Sequence, residues 1–388
     1  MMSCEKDTST KTPKTQKPKR VVIMYAAAEN TLSDYIIGDI KEILQGCKSI
    51  PENDKFIIYY DNIGLPAIYE VTNKTYGASI NSLPSVVDFQ EDLDSASPET
   101  LEMIMSRIIE RYPADSYGLI LWSHGSGWVP YYNSSKTKSF GVDNKKNDKN
   151  TDVGTEMNIS DMAQVLSKYK NIEYIMFDAC FMQTIEVAYE LRNATKYIIA
   201  NPSEMVGQGA PYNLIMPYLF EEEVDLQALL YDFHDYYARK AVGLTLSAID
   251  TKYLESFAEI TRSYLKKHIN ESWNLSTTLN YYKFGTPKWG TAFPDMYDIR
   301  GLMQVILTDE EYEEWNKELN KLVPVAYCSD YWYSSYPEQN QEIDKEQYSG
   351  VSMFLPLNKY IMSTTFNSDY STTEWAKYVW RDLYSGVD

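Results

Sequence analysis

The sequence predicts an α/β fold: a doubly wound, mostly parallel sheet flanked by helices, with a mixed C-terminal subdomain. Two observations predict it. Five short apolar runs, Val21–Ala28, Phe56–Tyr60, Leu119–Trp122, Tyr174–Phe177 and Tyr197–Ala200, are continuous rather than alternating. That is the pattern of strands buried on both faces. Helical patterns lie between several of these runs, and strands that alternate with helices build a parallel sheet. In such sheets ligands bind beyond the carboxyl ends of the strands.

In chain order, residues 1–20 are rich in Lys, Thr and Pro and carry a net charge of +4, so the remainder carries −23. Such a stretch, nearly free of apolar side chains, reads as a flexible tether. Residues 21–250 read as the core. In 31–48, Ile36, Ile37, Ile40, Ile43, Leu44 and Cys47 fall on one helical stripe, which places Cys47 in the core as an inert thiol. Phe56–Asp61 and Pro66–Val71 flank a short Gly-containing turn and read as a hairpin. Thr100–Arg111, Ser160–Lys168 and Thr184–Arg192 read as helices. Residues 133–155 form a long polar stretch of little periodicity, of the kind that is functional or disordered in compact domains. Residues 251–388 read as a partly helical region that completes the core or stands beside it, with helices over 252–268 and 373–385 and a strand at Gly350–Leu355.

Composition narrows the function. The net charge of −19 argues against nucleic acid as the main partner, since phosphate binding needs basic patches, and favours cationic substrates. No run approaches the ~18 apolar residues of a membrane span. Cys4, Cys47, Cys180 and Cys328 include no CxxC pair, so neither a disulfide scaffold nor a structural zinc site is expected. No phosphate-cradling Gly-rich loop is present.

Two strand ends carry chemistry. Leu119–Trp122 stops at Ser123-His124-Gly125-Ser126-Gly127, and Tyr174–Phe177 stops at Asp178-Ala179-Cys180. If the two strands are neighbours, imidazole and thiol leave the same sheet edge. An imidazole can promote thiolate formation and then protonate a leaving amine. Alanine before the cysteine, with a histidine about 50 residues upstream, is the caspase arrangement; here the separation is 56 residues. Residues two apart on a strand share a face, so Asp178 sits beside Cys180 if the strand continues that far, where a carboxylate can pair with a Lys or Arg side chain in an S1 pocket; helix capping is its alternative use. Glu204 follows the next strand and is a second candidate for that pocket. His234, in an aromatic stretch, reads as packing, His268 as a helix-end cation, and Cys328 as structural.

The segments WSHGSGW (122–128) and FDACFM (177–182), in this order, resemble the clostripain family of cysteine peptidases, and the likeness extends to Ile199–Tyr212 and Gly350–Pro356. The resemblance implies a caspase-like fold and cleavage after basic residues. It makes Cys180 the nucleophile, His124 the general acid/base of a dyad, and the backbone N–H groups of Gly125 and Cys180 the oxyanion hole. No third member of a triad is evident from the sequence. The resemblance also implies autoprocessing in the 133–155 loop, with Lys136, Lys138, Lys145, Lys146 and Lys149 as candidate sites. Some relatives depend on calcium, and the loop holds Asp143, Asn144, Asn147, Asp148 and Asp152, but the EF-hand grammar is absent, so no metal or other cofactor is expected. Cys4 before a polar tether resembles the mature end of a bacterial lipoprotein, which implies a secreted or cell-envelope protein with a possible lipid anchor. Two other readings stay open: a caspase-clan transpeptidase or ligase, which shares the acyl-enzyme, and a noncatalytic surface binding protein built on 34 tyrosines and eight tryptophans, among them Tyr327–Tyr336.

Overall fold

A computed structural model describes residues 17–129, 140–275, 279–282, 296–335, 339–356 and 370–383. Cys4, Lys136 and Lys138 lie outside the described residues. The elements follow in chain order as β1 (Arg20–Ala27), α1 (Tyr35–Gly46), β2 (Lys55–Asp61), β3 (Ala67–Val71), β4 (Ser85–Asp88), α2 (Pro98–Arg111), β5 (Ser116–Trp122), β6 (Phe140–Asp143), β7 (Thr155–Met157), α3 (Ile159–Leu166), β8 (Ile172–Asp178), α4 (Ile185–Glu190), β9 (Tyr197–Ala200), α5 (Tyr212–Leu219), α6 (Leu226–Ala238), β10 (Thr245–Asp250), α7 (Leu254–His268), β11 (Tyr281–Tyr282), β12 (Met296–Asp298), α8 (Ile299–Ile306), α9 (Asp309–Leu322), β13 (Val325–Cys328), β14 (Tyr331–Ser334), β15 (Gln339–Glu342) and β16 (Ser352–Phe354).

All five predicted strands lie in one nine-stranded sheet of order β13-β10-β9-β8-β5-β1-β2-β3-β4. The inner strands β9, β8, β5, β1 and β2 are mutually parallel, and the antiparallel strands stand at the two edges. Every residue of β1 is buried, which explains its unbroken apolar run. One face packs α1, α5 and α6 through Ile36, Ile40, Ile215, Leu229 and Phe233. The other packs α2, α3, α4, α7 and α9 through Leu101, Ile104, Met162, Phe257 and Trp315. Each fully buried Leu, Ile or Phe contributes roughly 1.5–3 kcal/mol. The chain leaves β1 for β2 on one side and later returns to β5 on the other, so the order in which strands are added reverses between β1 and β5, which stay parallel. Such a reversal opens a crevice at the carboxyl ends.

The C-terminal region adds β13 to the sheet, antiparallel to β10, and builds a small antiparallel sheet from β11, β12 and β16. Trp375 and Trp380 are fully buried in the same core as α7. Three local expectations change. Ile37 is exposed rather than on the packed stripe of α1, because that stripe is completed by Asp39. The predicted helix over 373–385 is helical at 374–380, its Ala376–Trp380 part a wide π-type turn, and 384–385 lie outside the described residues. The polar stretch 133–155 includes the buried strand β6, which pairs with β7 through Phe140 and Met157.

Arg20, assigned to the tether by its sequence neighbours, is instead the buried first residue of β1. Its guanidinium donates to Ser116 Oγ at 3.0 Å and to the carbonyls of Leu219 (3.5 Å) and Glu222 (3.0 Å), and lies over the Tyr174 ring at 5.8 Å. It thereby closes the carboxyl end of α5, where a cation suits both the free carbonyls and the helix dipole. Arg20→Ala leaves those carbonyls unpaired and opens a void. It is expected to cost about 2–3 kcal/mol, read as a lower urea midpoint at unchanged slope.

Candidate active site

The register of the β5–β8 pair sets the site. Trp122 stands opposite Asp178, so His124 and Cys180 each lie two residues beyond the same rung. Both line one cleft of about 680 Å³, together with Gly125, Asp152, Asp178 and Glu204. The two strand ends approach closely at Gly125, where a Cβ would sit 2.7 Å from Cys180 O and 2.8 Å from Met182 Sδ; only glycine fits there. The residue after the cysteine, Phe181, holds φ at +60°, a strained value for a bulky side chain. Its N–H donates to Ser203 O at 2.9 Å, and its ring meets Trp332 edge-on at 6.2 Å. These contacts hold the turn that ends the strand at the thiol.

Cys180 Sγ accepts from the Met205 N–H at 3.3 Å and reaches Met205 O at 3.9 Å. Burial first, and then the charge of Glu204, push the thiol up to about 12, against the Met205 hydrogen bond. The resting group is therefore a thiol.

His124 is not alone. Its Nε2 lies 3.1 Å from Asp152 Oδ1 and 3.1 Å from Thr31 Oγ1. Thr31 in turn donates to Asp152 from its backbone N–H (3.0 Å) and from its hydroxyl (2.7 and 2.9 Å). Burial works to raise the Asp152 carboxyl, but the bonds from His124 and Thr31 outweigh it and hold the group down at about 2. The sequence reading grouped Asp152 with loop oxygens and passed over Thr31, since nothing in their spacing marks a contact with His124.

Asp178 is buried at the wall of the cleft. Its Oδ2 accepts from Ala210 N–H (2.9 Å) and Tyr212 Oη (2.7 Å). Behind it lies Asp39, which accepts from Trp122 Nε1 at 2.7 Å. Both carboxylates approach Gly209, which takes φ +62° and where a Cβ would stand 2.7 Å from Asp178 and 3.1 Å from Asp39. Burial, reinforced at Asp39 by the charge of Asp178, pushes both carboxyls up. Neither is ion-paired to a Lys or Arg among the described residues. Glu204 also lines the cleft, but its oxygens take hydrogen bonds from Ser334 Oγ (3.1 Å) and from the N–H and hydroxyl of Ser335. It ties the β14–β15 hairpin to the loop after β9.

The remaining candidates are accounted for locally. His234 stacks on Tyr327 at 5.6 Å, and burial lowers its pKa. His268 is buried between Glu271 (2.9 Å) and Glu311 (2.8 Å). Cys47 is buried, and Cys328 lies half-buried in β13, pushed up to about 12 by burial. Among the loop lysines, Lys145 pairs with Asp94 (2.6 Å) and Lys149 with Asp34 (2.9 Å), while the N–H of Lys146 donates to Glu29 (2.8 Å). The loop oxygens do not converge as metal ligands: Asp143 accepts from Ser95 and Lys145, Asn147 from Gly64, and Asp148 from Asn150. Beside the loop, carboxylate oxygens of Glu29, Asp61 and Asp92 lie within 4.8 Å of one another, and Glu29 also accepts from the N–H groups of Lys146 and Asn147; this is a set of hard ligands of the kind that suits a divalent cation. No described helix is long and apolar enough to cross a membrane.

An imidazole and a thiol at adjacent strand ends of a caspase-like sheet, above a shared cleft, define a cysteine peptidase of the caspase-like class. The chain belongs to the clostripain family, whose sequence model matches residues 24–384. Clostripain of Hathewaya histolytica is 25% identical over 232 residues, which are 53% of this chain and 43% of that protein; the chain thus spans less than half of that relative. Two solved structures match along nearly their full length. An inactive zymogen C11 protease from Parabacteroides distasonis has a TM-score of 0.77 at 27% identity, covering 94% of this chain and 99% of its own. A secreted C11 cysteine protease from Bacteroides thetaiotaomicron, in complex with an irreversible peptide inhibitor, has a TM-score of 0.78 at 26% identity over the same shares.

Glu204 bridges hairpin and thiol loop, so Glu204→Ala is expected to loosen one wall of the cleft. KM for peptide substrates should rise about tenfold with kcat changed less, measured by steady-state kinetics; equal loss in both would place Glu204 in the chemical step instead.

Proposed function

We propose that this chain is a cysteine endopeptidase that cleaves peptide bonds after Arg or Lys. The observation that carries the specificity is the buried Asp178–Asp39 pair beside the thiol, with no Lys or Arg paired to it among the described residues. Two desolvated carboxylates repel unless they share a proton or meet a cation. An incoming guanidinium or ammonium supplies that cation and releases the proton. That the Bacteroides thetaiotaomicron relative was solved with a peptide inhibitor supports peptide substrates here.

The reaction is an acyl transfer. His124 takes the proton of Cys180 as the sulfur attacks the scissile carbonyl. The oxyanion that forms is met by the N–H groups of Gly125 and Cys180. Collapse breaks the C–N bond, and His124 returns the proton to the leaving amine. A water, deprotonated by His124, then attacks the thioester and restores the thiol. No hydrogen bond joins Cys180 and His124 in the resting state; both thiol contacts go to Met205, so substrate must draw sulfur and imidazole together. The same thioester could pass to an amine, and comparing hydrolysis with transfer to an added amine acceptor separates peptidase from ligase. Tyr331 and Tyr333 line this same cleft, so part of the aromatic region that motivated a separate binding surface serves here as a peptide wall.

Autoprocessing in 133–155 belongs to this proposal. Lys145, Lys146 and Lys149 are held by Asp94, Glu29 and Asp34, so a cut there requires the loop to release first. Intact-mass analysis of wild type and Cys180→Ala tests it: a clip in wild type alone supports self-cleavage, and identical masses refute it.

Arg-, Lys- and Asp-terminated chromogenic amides test the activity. Hydrolysis of the basic amides should vanish in Cys180→Ala and on thiol alkylation. Asp178→Asn should lower kcat/KM for the basic amides by about 100-fold or more, in line with the loss of a buried charge partner; an unchanged preference would remove Asp178 from S1.

The pair also sets a pH dependence. Because both carboxyls are raised, the folded pair holds a proton that a cationic side chain must displace. Affinity for benzamidine, a cationic S1 probe, should therefore strengthen as pH rises across the neutral range. Asp39→Asn should flatten the rise, and a flat wild-type profile of competitive inhibition would refute the shared proton.

A further inference from the structure

The family resemblance makes His124 half of a dyad, but its hydrogen bonds here specify more. We propose that Asp152, with Thr31, is a positioning pair that fixes the His124 ring with its proton on Nε2 and so leaves Nδ1 as the nitrogen that serves Cys180. This rests on the peptidase reading above.

The argument is one of donors and acceptors. The Thr31 hydroxyl directs its single proton to Asp152, at 2.7 and 2.9 Å from the two oxygens. An ionised carboxylate only accepts, and Asp152 is held strongly toward its ionised form. Nε2 faces the Asp152 carboxylate and the Thr31 oxygen, both at 3.1 Å. With no proton available from either partner, Nε2 must be the donor in both charge states of the ring. In the neutral ring, Nδ1 then carries the lone pair. The anchor is rigid at both ends. Thr31 follows β1 and is fixed to Asp152 by its own N–H at 3.0 Å. Neighbouring Asn30, fully buried, donates to Ala27 O (3.0 Å) and Val142 O (2.9 Å), linking the end of β1 to β6. The His124 carbonyl accepts from Gly141 N–H at 3.0 Å. Ring and carboxylate are therefore mounted on the same sheet edge.

The test combines kinetics with a tautomer readout. Asp152→Asn keeps the shape but lets the amide donate to Nε2, which favours the wrong tautomer. With an Arg-terminated amide, kcat should fall by about 100-fold or more with KM within about threefold. Thr31→Val should give a smaller loss in kcat, because Asp152 remains to accept from Nε2. The chain has three histidines, so ¹⁵N-histidine labelling, with His124→Gln for assignment, reads the ring directly. At a pH where the ring is neutral, wild type should show the Nε2–H tautomer and Asp152→Asn should not. Unchanged kcat in a folded Asp152→Asn, or an Nδ1–H tautomer in wild type, overturns the proposal; the second measurement needs no Asp152 variant to fold. Residual activity in Cys180→Ala would instead overturn the peptidase reading, independently of Asp152.

Discussion

The parallel pairing of β5 with β8 is the constraint on which the site depends. Its register places Trp122 beside Asp178, and everything chemical follows two residues later. In a parallel pair both chains run the same way, so residues equally far past a shared rung emerge at the same edge. A slip of one residue would turn either side chain to the opposite face. The apolar strands pay for this precision: the rungs below Trp122 and Asp178, from Leu119 to Leu121 and from Ile175 to Phe177, are fully buried between two helical layers, which leaves no room for another register. The glycine at 125 completes it by letting the two strand ends touch.

The same edge gathers uncompensated negative charge. Asp178 and Asp39 share the volume around Gly209, and burial raises both. A fold selected for stability alone gains little from two buried carboxylates near one another. Their presence beside the Cys180 thiol fits strain kept at a functional site, which under the proposed specificity a cationic side chain would relieve. The acidity of the whole chain, noted from composition, thereby acquires a local counterpart. Long-range attraction of basic segments would draw on the net charge of −19, whereas the proposed selection of one basic side chain would rest on two specific groups.

How much of this was legible in the sequence follows from the range of the signals. Strands buried on both faces write themselves as unbroken apolar runs, so all five core strands and the two chemical strand ends could be read directly. His124 and Cys180 announced themselves because each ends such a run. Asp178 was read from period-two geometry, which required the strand to reach Cys180, whereas β8 ends at Asp178 itself. Thr31, Asp39 and Asp152 were not read. Asp39 sits on the packed stripe of α1, where the eye expects an apolar residue and takes a lone Asp for a surface position. Thr31 and Asp152 meet His124 across separations of 93 residues and 28 residues, and no periodicity encodes a contact made by folding. Arg20 was misplaced for the complementary reason: its basic neighbours looked like tether, while its partners Leu219 and Glu222 lie about 200 residues away.

The position of Asp152 in the chain bears on what the proposed cleavage of the loop would do. Any cut between 133 and 149 would leave Thr31 and His124 on one fragment and Asp152 and Cys180 on the other. Chemistry would then depend on groups joined only by packing. The structure supplies that packing: for a cut before 140, β6 lies against β1 across the two fragments; for a cut after 143, Phe140 lies against Phe177 at 6.0 Å across them; and in either case β5 and β8 continue to pair through the sheet. A severed chain would therefore keep its reacting groups aligned, because the alignment resides in the sheet and in the Thr31–Asp152 contact rather than in the covalent connection. Cleavage can then alter access to the cleft without dismantling the site.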